Sequence, residues 1–219
     1  MPHDAVQTGF EAATPEHIPA YLQDTYWWAY VHPNAVSFFE RQWLVNAILW
    51  GNFSRLRDAA LAELGEVIHG RTLQVACVYG NFTSKLAERL APDAALDVVD
   101  VLPIQLQNLR KKIPADARVT PCLRNSADLG FAGGTYDQTV LFFLLHEQPE
   151  DVRRQTLAEA VRVTRPGGRI VIVDYHQPRH PHPLRYLFKP VLHVLEPFAL
   201  DLWRNEVSTW LPTSVKPEQ

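Results

Sequence analysis

Apolar residues recur at helical spacing in the first quarter of the chain. Val36, Phe39, Trp43, Ala47 and Trp50 fall on one stripe, and Leu44 and Ile48 widen it. Residues 21–64 are therefore expected to be helical, with a break at Gly51-Asn52 and with Ser54 placed to cap the next helix. Residues 1–20 are polar and carry no period, which predicts a loose arm.

The pattern changes after Gly70. Short runs rich in β-formers alternate with helical stretches, and strands are expected at residues 73–78, 96–101, 119–123, 136–145 and 169–173. Helices are expected at about residues 83–90, from Pro103 to Lys112, and from Pro149 to a stop at Pro166-Gly167-Gly168. Glu150 and Asp151 sit in the first turn of the last of these, where the helix dipole favours acids. Such alternation builds parallel βαβ units, and continuous apolar strands imply a sheet covered on both faces. Residues 183–211 are crowded with apolar and aromatic side chains. The chain thus divides into an arm (1–20), a helical cap (21–66), an α/β core (67–182) and an apolar helical tail (183–219), all one domain.

In sheets of this kind ligands bind beyond the carboxyl ends of the strands, near the switch in strand order. That rule singles out Val78 to Thr83, Asp100-Val101, Asn125 to Asp128, His146-Glu147, and Asp174 to His176.

Composition narrows the partners. The 219 residues carry a formal charge of −3, with no basic concentration, which argues against nucleic acid. Only two cysteines, Cys77 and Cys122, occur, without Cys-x-x-Cys spacing and with no secretory signal, so a reducing cytosol is expected. No stretch approaches the roughly 18 apolar residues of a membrane span.

Several segments resemble class I S-adenosylmethionine methyltransferases. Leu73 to Thr83 lies where those enzymes carry acid-x-Gly-x-Gly-x-Gly; here Gln74 replaces the acid, Ala76 and Val78 replace two glycines, and Gly80 survives. Asp100, 20 residues after Gly80, stands where a carboxylate holds the two ribose hydroxyls, or else caps a helix. Asn125 to Phe131 resembles the segment that contacts adenine, and Arg165 to Asp174 resembles the turn and strand that follow. The resemblance implies a class I methyltransferase-like, Rossmann-like α/β three-layer sandwich with a mostly parallel sheet, an N-terminal helical cap and apolar C-terminal helices. The usual domain closes with a two-strand hairpin. No such pattern is visible in the tail, so the hairpin is either missing or replaced by helices.

A narrower resemblance rests on four runs: Thr25 to Tyr30, Val75 to Gly80, Phe142 to Pro149, and Val173 to His176. They are similar to the rhodoquinone-biosynthesis family RquA, itself related to the quinone methyltransferases. The likeness runs from about Ile18 to Pro212 and includes the altered glycine loop. It implies conversion of ubiquinone to rhodoquinone, an amino group replacing a ring methoxy, with S-adenosylmethionine as amino donor and manganese(II) required.

On this resemblance, Val78, Tyr79, Gly80, Asp100, Val101, Asn125, Ser126, Ala127 and Asp128 are the candidate cofactor contacts, and Tyr79, His146 and Asp174 the candidate catalytic groups. His146, Glu147, Asp174 and His176 mix imidazole with carboxylate, a ligand set suited to manganese, or else the histidines only bond backbone. Tyr79 either stacks on a ligand or fills space left by the lost glycines. Trp27, Trp28 and Tyr30 either lid a quinone ring or form a structural cluster. Ubiquinone resides in the bilayer, so peripheral attachment to the cytoplasmic face of the inner, energy-transducing membrane is expected. The anchor would be the tail, with Arg185 and Lys189 near headgroups and Leu184, Leu187, Phe188 and Leu192 dipping in, unless that face packs on the sheet. Two other readings stand beside this one: conventional methylation of a quinone or lipid, and a non-catalytic quinone-binding protein.

Overall fold

A computed structural model describes residues 18–26, 43, 46, 49, 51–114, 118–176, 189–190, 192–193 and 196–215. Helix α1 (Ala20–Tyr26) precedes α2 (Phe53–Leu64). The core then runs β1 (Arg71–Val75), α3 (Phe82–Ala87), β2 (Ala95–Asp100), α4 (Pro103–Lys112), β3 (Val119–Leu123), β4 (Tyr136–Phe142), α5 (Glu150–Val163) and β5 (Thr164–Val173). A short 3-10 turn, Leu145–Glu147, follows β4. The tail contributes α6 (Ala199–Arg204) and a second 3-10 turn, Val207–Trp210.

The five strands lie in the order β3-β2-β1-β4-β5, every described pairing parallel. Alternation along the strands sorts their side chains onto two faces. Leu96, Val98, Val140 and Phe142 face one core with Phe53 and Leu61 of α2, Phe82 and Leu86 of α3, and Leu109 of α4. Leu73, Val75, Val99 and Leu141 face the other, with Leu157, Ala160 and Val163 of α5 and with Leu202 and Trp210 of the tail. The result is a three-layer sandwich.

The tail occupies the place where a closing hairpin was sought: among the described residues it is helical and adds no strand. Arg153 of α5 fastens it. Fully buried, this guanidinium donates to the carbonyls of Leu145 (3.0 Å), Gln148 (2.8 Å) and Phe198 (3.2 Å) and lies 4.3 Å over the Trp210 ring. A buried charge is tolerated because Nε and Nη2 are met by carbonyl oxygens, Nη1 stands 3.8 Å from the Asp201 carboxylate, and an aromatic ring covers the face.

Several boundaries differ from expectation. Asn52, not Ser54, precedes α2 as its N-cap, so Ser54 falls inside the first turn. Helix α5 ends at Val163 rather than at Pro166-Gly167-Gly168; β5 begins at once, and that tripeptide forms an irregularity between the Tyr136–Thr164 and Gln138–Arg169 pairings. Strand β4 stops at Phe142 because Phe143 adopts a left-handed φ of 56°. Leu192 does not point outward; it is buried with Ala199 and Leu200 against Tyr175 and Trp203. Lys189 is exposed. Trp27, Trp28, Tyr30, Leu184, Arg185, Leu187 and Phe188 lie outside the described residues, as do Val36, Phe39, Leu44, Ala47, Ile48 and Trp50. No helix of the described residues is long and apolar enough to cross a membrane.

Candidate functional site

A cleft opens at the carboxyl ends of the strands, where the order turns from β1 towards β2 on one side and β4 on the other. Ala76 and Cys77 line it after β1, Asp100 and Val101 after β2, Arg124 to Ser126 after β3, and Phe143, Leu144 and Glu147 after β4. Gln105 of α4 and Tyr21 and Leu22 of α1 complete the wall. The cleft spans about 560 Å³ including its open mouth.

The backbone at the end of β1 behaves as if glycine were still there. Ala76 has φ 72°, a left-handed conformation that costs a β-carbon residue about 1–2 kcal/mol. Gln74 supports the turn from the strand, its side-chain amide donating to the Ala76 carbonyl at 3.0 Å. Gln74 is fully buried, and its amide makes that bond from inside the core. Phe143, the second non-glycine residue with positive φ among those described, lines the same cleft. Strained residues concentrate at functional sites.

Asp100 closes β2. Its carboxylate accepts from the Cys77 N–H at 2.8 Å and the Leu102 N–H at 2.9 Å, and it borders the cleft. Burial pushes its pKa up to about 6, although the backbone donors pull the other way. Ser126 bonds the Thr156 hydroxyl and receives the Gln148 amide, both at 3.0 Å. Asn125 accepts from the Ala127 N–H at 2.9 Å, tightening the turn. Burial also raises the Tyr21 hydroxyl well above its ordinary value, reinforced by the charge on Glu147.

The other half of the site is an ion pair. His146 Nδ1 donates to Asp174 Oδ1 at 2.8 Å, with side chains only 6% and 2% exposed. Asp174 also accepts from the N–H groups of Leu145 (2.7 Å) and Tyr175 (2.8 Å). Burial alone would favour neutral imidazole, but the Asp174 charge and hydrogen bond, with Glu196 and Glu147 behind them, push its pKa up to about 10.

The structure therefore regroups the residues singled out in the sequence. Asp100, Val101, Asn125 and Ser126 line the cleft; Val78, Tyr79, Gly80, Ala127 and Asp128 are not among its lining. Gly80 has a packing reason instead: a β-carbon there would stand 2.8 Å from the Phe53 ring. Tyr79 accepts from Gln105 Nε2 at 3.0 Å, so it meets the cleft through Gln105. His146 is buried behind the lining, and Glu147 is the member of that pair that reaches the cleft.

The manganese set does not assemble. Asp174 is committed to His146 and to backbone donors, while the His176 ring turns to Glu206 at 3.0 Å. Among the described residues no group of three histidine, cysteine or acidic side chains could hold an ion. These residues do not fit the metal that the resemblance implied. Sequence reasoning missed Tyr21, Gln105, Arg124 and Phe143. Arg124 carried a usable signal, since it directly follows the expected third strand; Phe143 fell inside the expected fourth strand, and Tyr21 and Gln105 arrive from helices.

The sheet order, the two helical layers and the cleft at the switch point are those of the class I S-adenosylmethionine-dependent methyltransferase fold. The sequence profile of the methyltransferase domain family matches residues 72–168. The chain is 29% identical over 150 residues to a demethylmenaquinone methyltransferase of Lactiplantibacillus plantarum, covering 67% of this chain and 60% of that protein. It is 31% identical over 140 residues to the ubiquinone/menaquinone biosynthesis C-methyltransferase UbiE of Syntrophotalea carbinolica, covering 63% and 58%. The chain thus spans about 60% of the length of these relatives. Among solved structures, the N-methyltransferase NodS from Bradyrhizobium japonicum, in complex with S-adenosyl-L-homocysteine, superposes with a TM-score of 0.52 at 18% identity, over 64% of this chain and 70% of that one.

Proposed function

We propose that the cleft binds S-adenosylmethionine and that the chain uses it to modify the ring of a quinone. The observation that carries this reading is the position of Asp100, a buried carboxylate ending β2 and bordering a cleft at the switch point. Two carboxylates, Asp100 and Glu147, border the cleft, which suits a ligand bearing a sulfonium cation. Relatives that methylate quinones support the substrate class.

The particular reaction we assign is replacement of a ring methoxy of ubiquinone by an amino group. Its support is the resemblance of Thr25 to Tyr30, Val75 to Gly80, Phe142 to Pro149 and Val173 to His176 to the rhodoquinone-biosynthesis family, the glycine-poor loop included. Ring C-methylation is the second reading, favoured by the activities named for the relatives. The chain would work at a membrane surface, where its substrate resides; Trp43, 63% exposed, offers one outward aromatic side chain for that contact.

The test is isotopic. The purified chain is incubated with ubiquinone and S-adenosylmethionine carrying heavy nitrogen at the α-amine, with and without manganese, and the quinones are weighed by mass spectrometry. Heavy nitrogen in the ring supports amination. A product gaining only a methyl group assigns the second reading, and unaltered quinone in every arm rejects both.

A further inference from the structure

The loop after β1 lacks two of the glycines that usually shape it, yet two cationic side chains hold it from neighbouring helices. Lys112, in the last turn of α4, donates to the carbonyls of Val78 at 3.2 Å and Gly80 at 3.1 Å. Arg57 of α2 donates to Asn81 Oδ1 at 2.9 Å. On the near side of the loop, the Ala76 N–H donates to the Val99 carbonyl at 2.9 Å and the Cys77 N–H to Asp100. The segment from Ala76 to Asn81 is thus tied at both ends: to Asp100 where it borders the cleft, and to Lys112 where it turns into α3.

Resting on the reading that the cleft takes S-adenosylmethionine, we propose that Lys112 is a positioning residue for that ligand. It fixes the carbonyls of Val78 and Gly80 and so holds Ala76, Cys77 and Asp100 in their binding geometry. Glycines let a loop adopt such a shape at little steric cost. With Ala76 strained and Val78 branched, the shape must be imposed from outside. A lysine at a helix C-terminus is well suited, because its charge also meets the helix dipole and its three donors can serve two carbonyls at once. Lys112 itself does not line the cleft.

The test uses Lys112→Met, which keeps the apolar stem and removes the donors, and Lys112→Arg, which restores donors and charge. Calorimetry with S-adenosylmethionine should give an affinity about tenfold weaker for Lys112→Met, and largely recovered for Lys112→Arg. The KM for quinone should stay within about twofold of wild type, since the defect lies at the cofactor. If Lys112→Met fails to fold, Lys112→Gln, which keeps one donor, should bind with intermediate affinity. Wild-type affinity in a folded Lys112→Met or Lys112→Gln chain, even one of lowered thermal stability, overturns the proposal and leaves Lys112 a helix cap. A wild-type chain that binds no S-adenosylmethionine would instead defeat the functional reading, and the positioning role with it.

Discussion

The ends of β2 and β5 carry the same device for different purposes. Each strand ends in a buried aspartate, and in each the two carboxylate oxygens accept backbone N–H groups. Asp174 has a cation, the His146 ring at 2.8 Å, and its side chain is 2% exposed. Asp100 borders an open cleft, and its shift records burial eased only by hydrogen bonds. A carboxylate that has its cation is saturated and holds the fold. A desolvated carboxylate that faces a cleft is left with bonding capacity that a ligand can satisfy. On the proposed function, the difference gives the His146–Asp174 pair to the fold and Asp100 to the ligand.

Removing the saturated partner should do the most damage. Asp174→Ala leaves His146 buried without its anion and strips acceptors from Leu145 and Tyr175, so denaturant unfolding should register a loss of about 3–5 kcal/mol. A smaller loss than that of Asp100→Ala would invert the comparison.

Proton linkage separates the two ends without truncating either side chain. Between pH about 4 and about 6 the folded chain keeps a proton on Asp100 that the unfolded chain has already lost, so stability should fall as pH rises through that window. The His146 contribution is fully present below pH about 6.5 and should be lost as pH rises towards about 10. Asp100→Asn should flatten the acidic slope alone and His146→Gln the alkaline slope alone, read by thermal unfolding across pH. A variant that flattens both would mean the two ends are coupled.

Binding should respond in the opposite order. Asp100→Asn should weaken S-adenosylmethionine by about 1.5–3 kcal/mol in calorimetry, the value of hydrogen bonds to a charged acceptor, while changing stability by less than Asp174→Ala does. The smallest effect belongs to the turn between them. Ala76→Gly should raise stability by about 1 kcal/mol, because glycine adopts φ 72° without strain; a loss would mean the methyl group packs usefully in the cleft wall.

These contrasts also mark what the sequence could reveal. The five strands were legible from their apolar runs, and Asp100 from its place after the second of them. Pro103, read as a first helical position, correctly placed α4, whose bounds match at both ends. The exchange of partners was not legible. His146 and Asp174 stand 28 residues apart, and only the parallel pairing of β4 with β5 brings them together. As lone residues at strand ends they read as metal ligands. Gly80 read as a cofactor glycine, yet its neighbour is Phe53, 27 residues upstream on another element. The hold of Lys112 on Val78 spans 34 residues and leaves no local pattern. Periodicity reports which face of an element is buried; it does not report which distant polar group meets a given carbonyl or carboxylate.

The most direct test of the account is a crystal structure of the chain with S-adenosyl-L-homocysteine. The account predicts the ligand in the cleft at the carboxyl ends of β1 and β2, its ribose hydroxyls on Asp100 and its adenine beside Asn125 and Ser126, with the His146–Asp174 pair unchanged. Ligand seated on the β4–β5 side with Asp174 drawn away from His146, or a cleft left empty at saturating ligand, would contradict it.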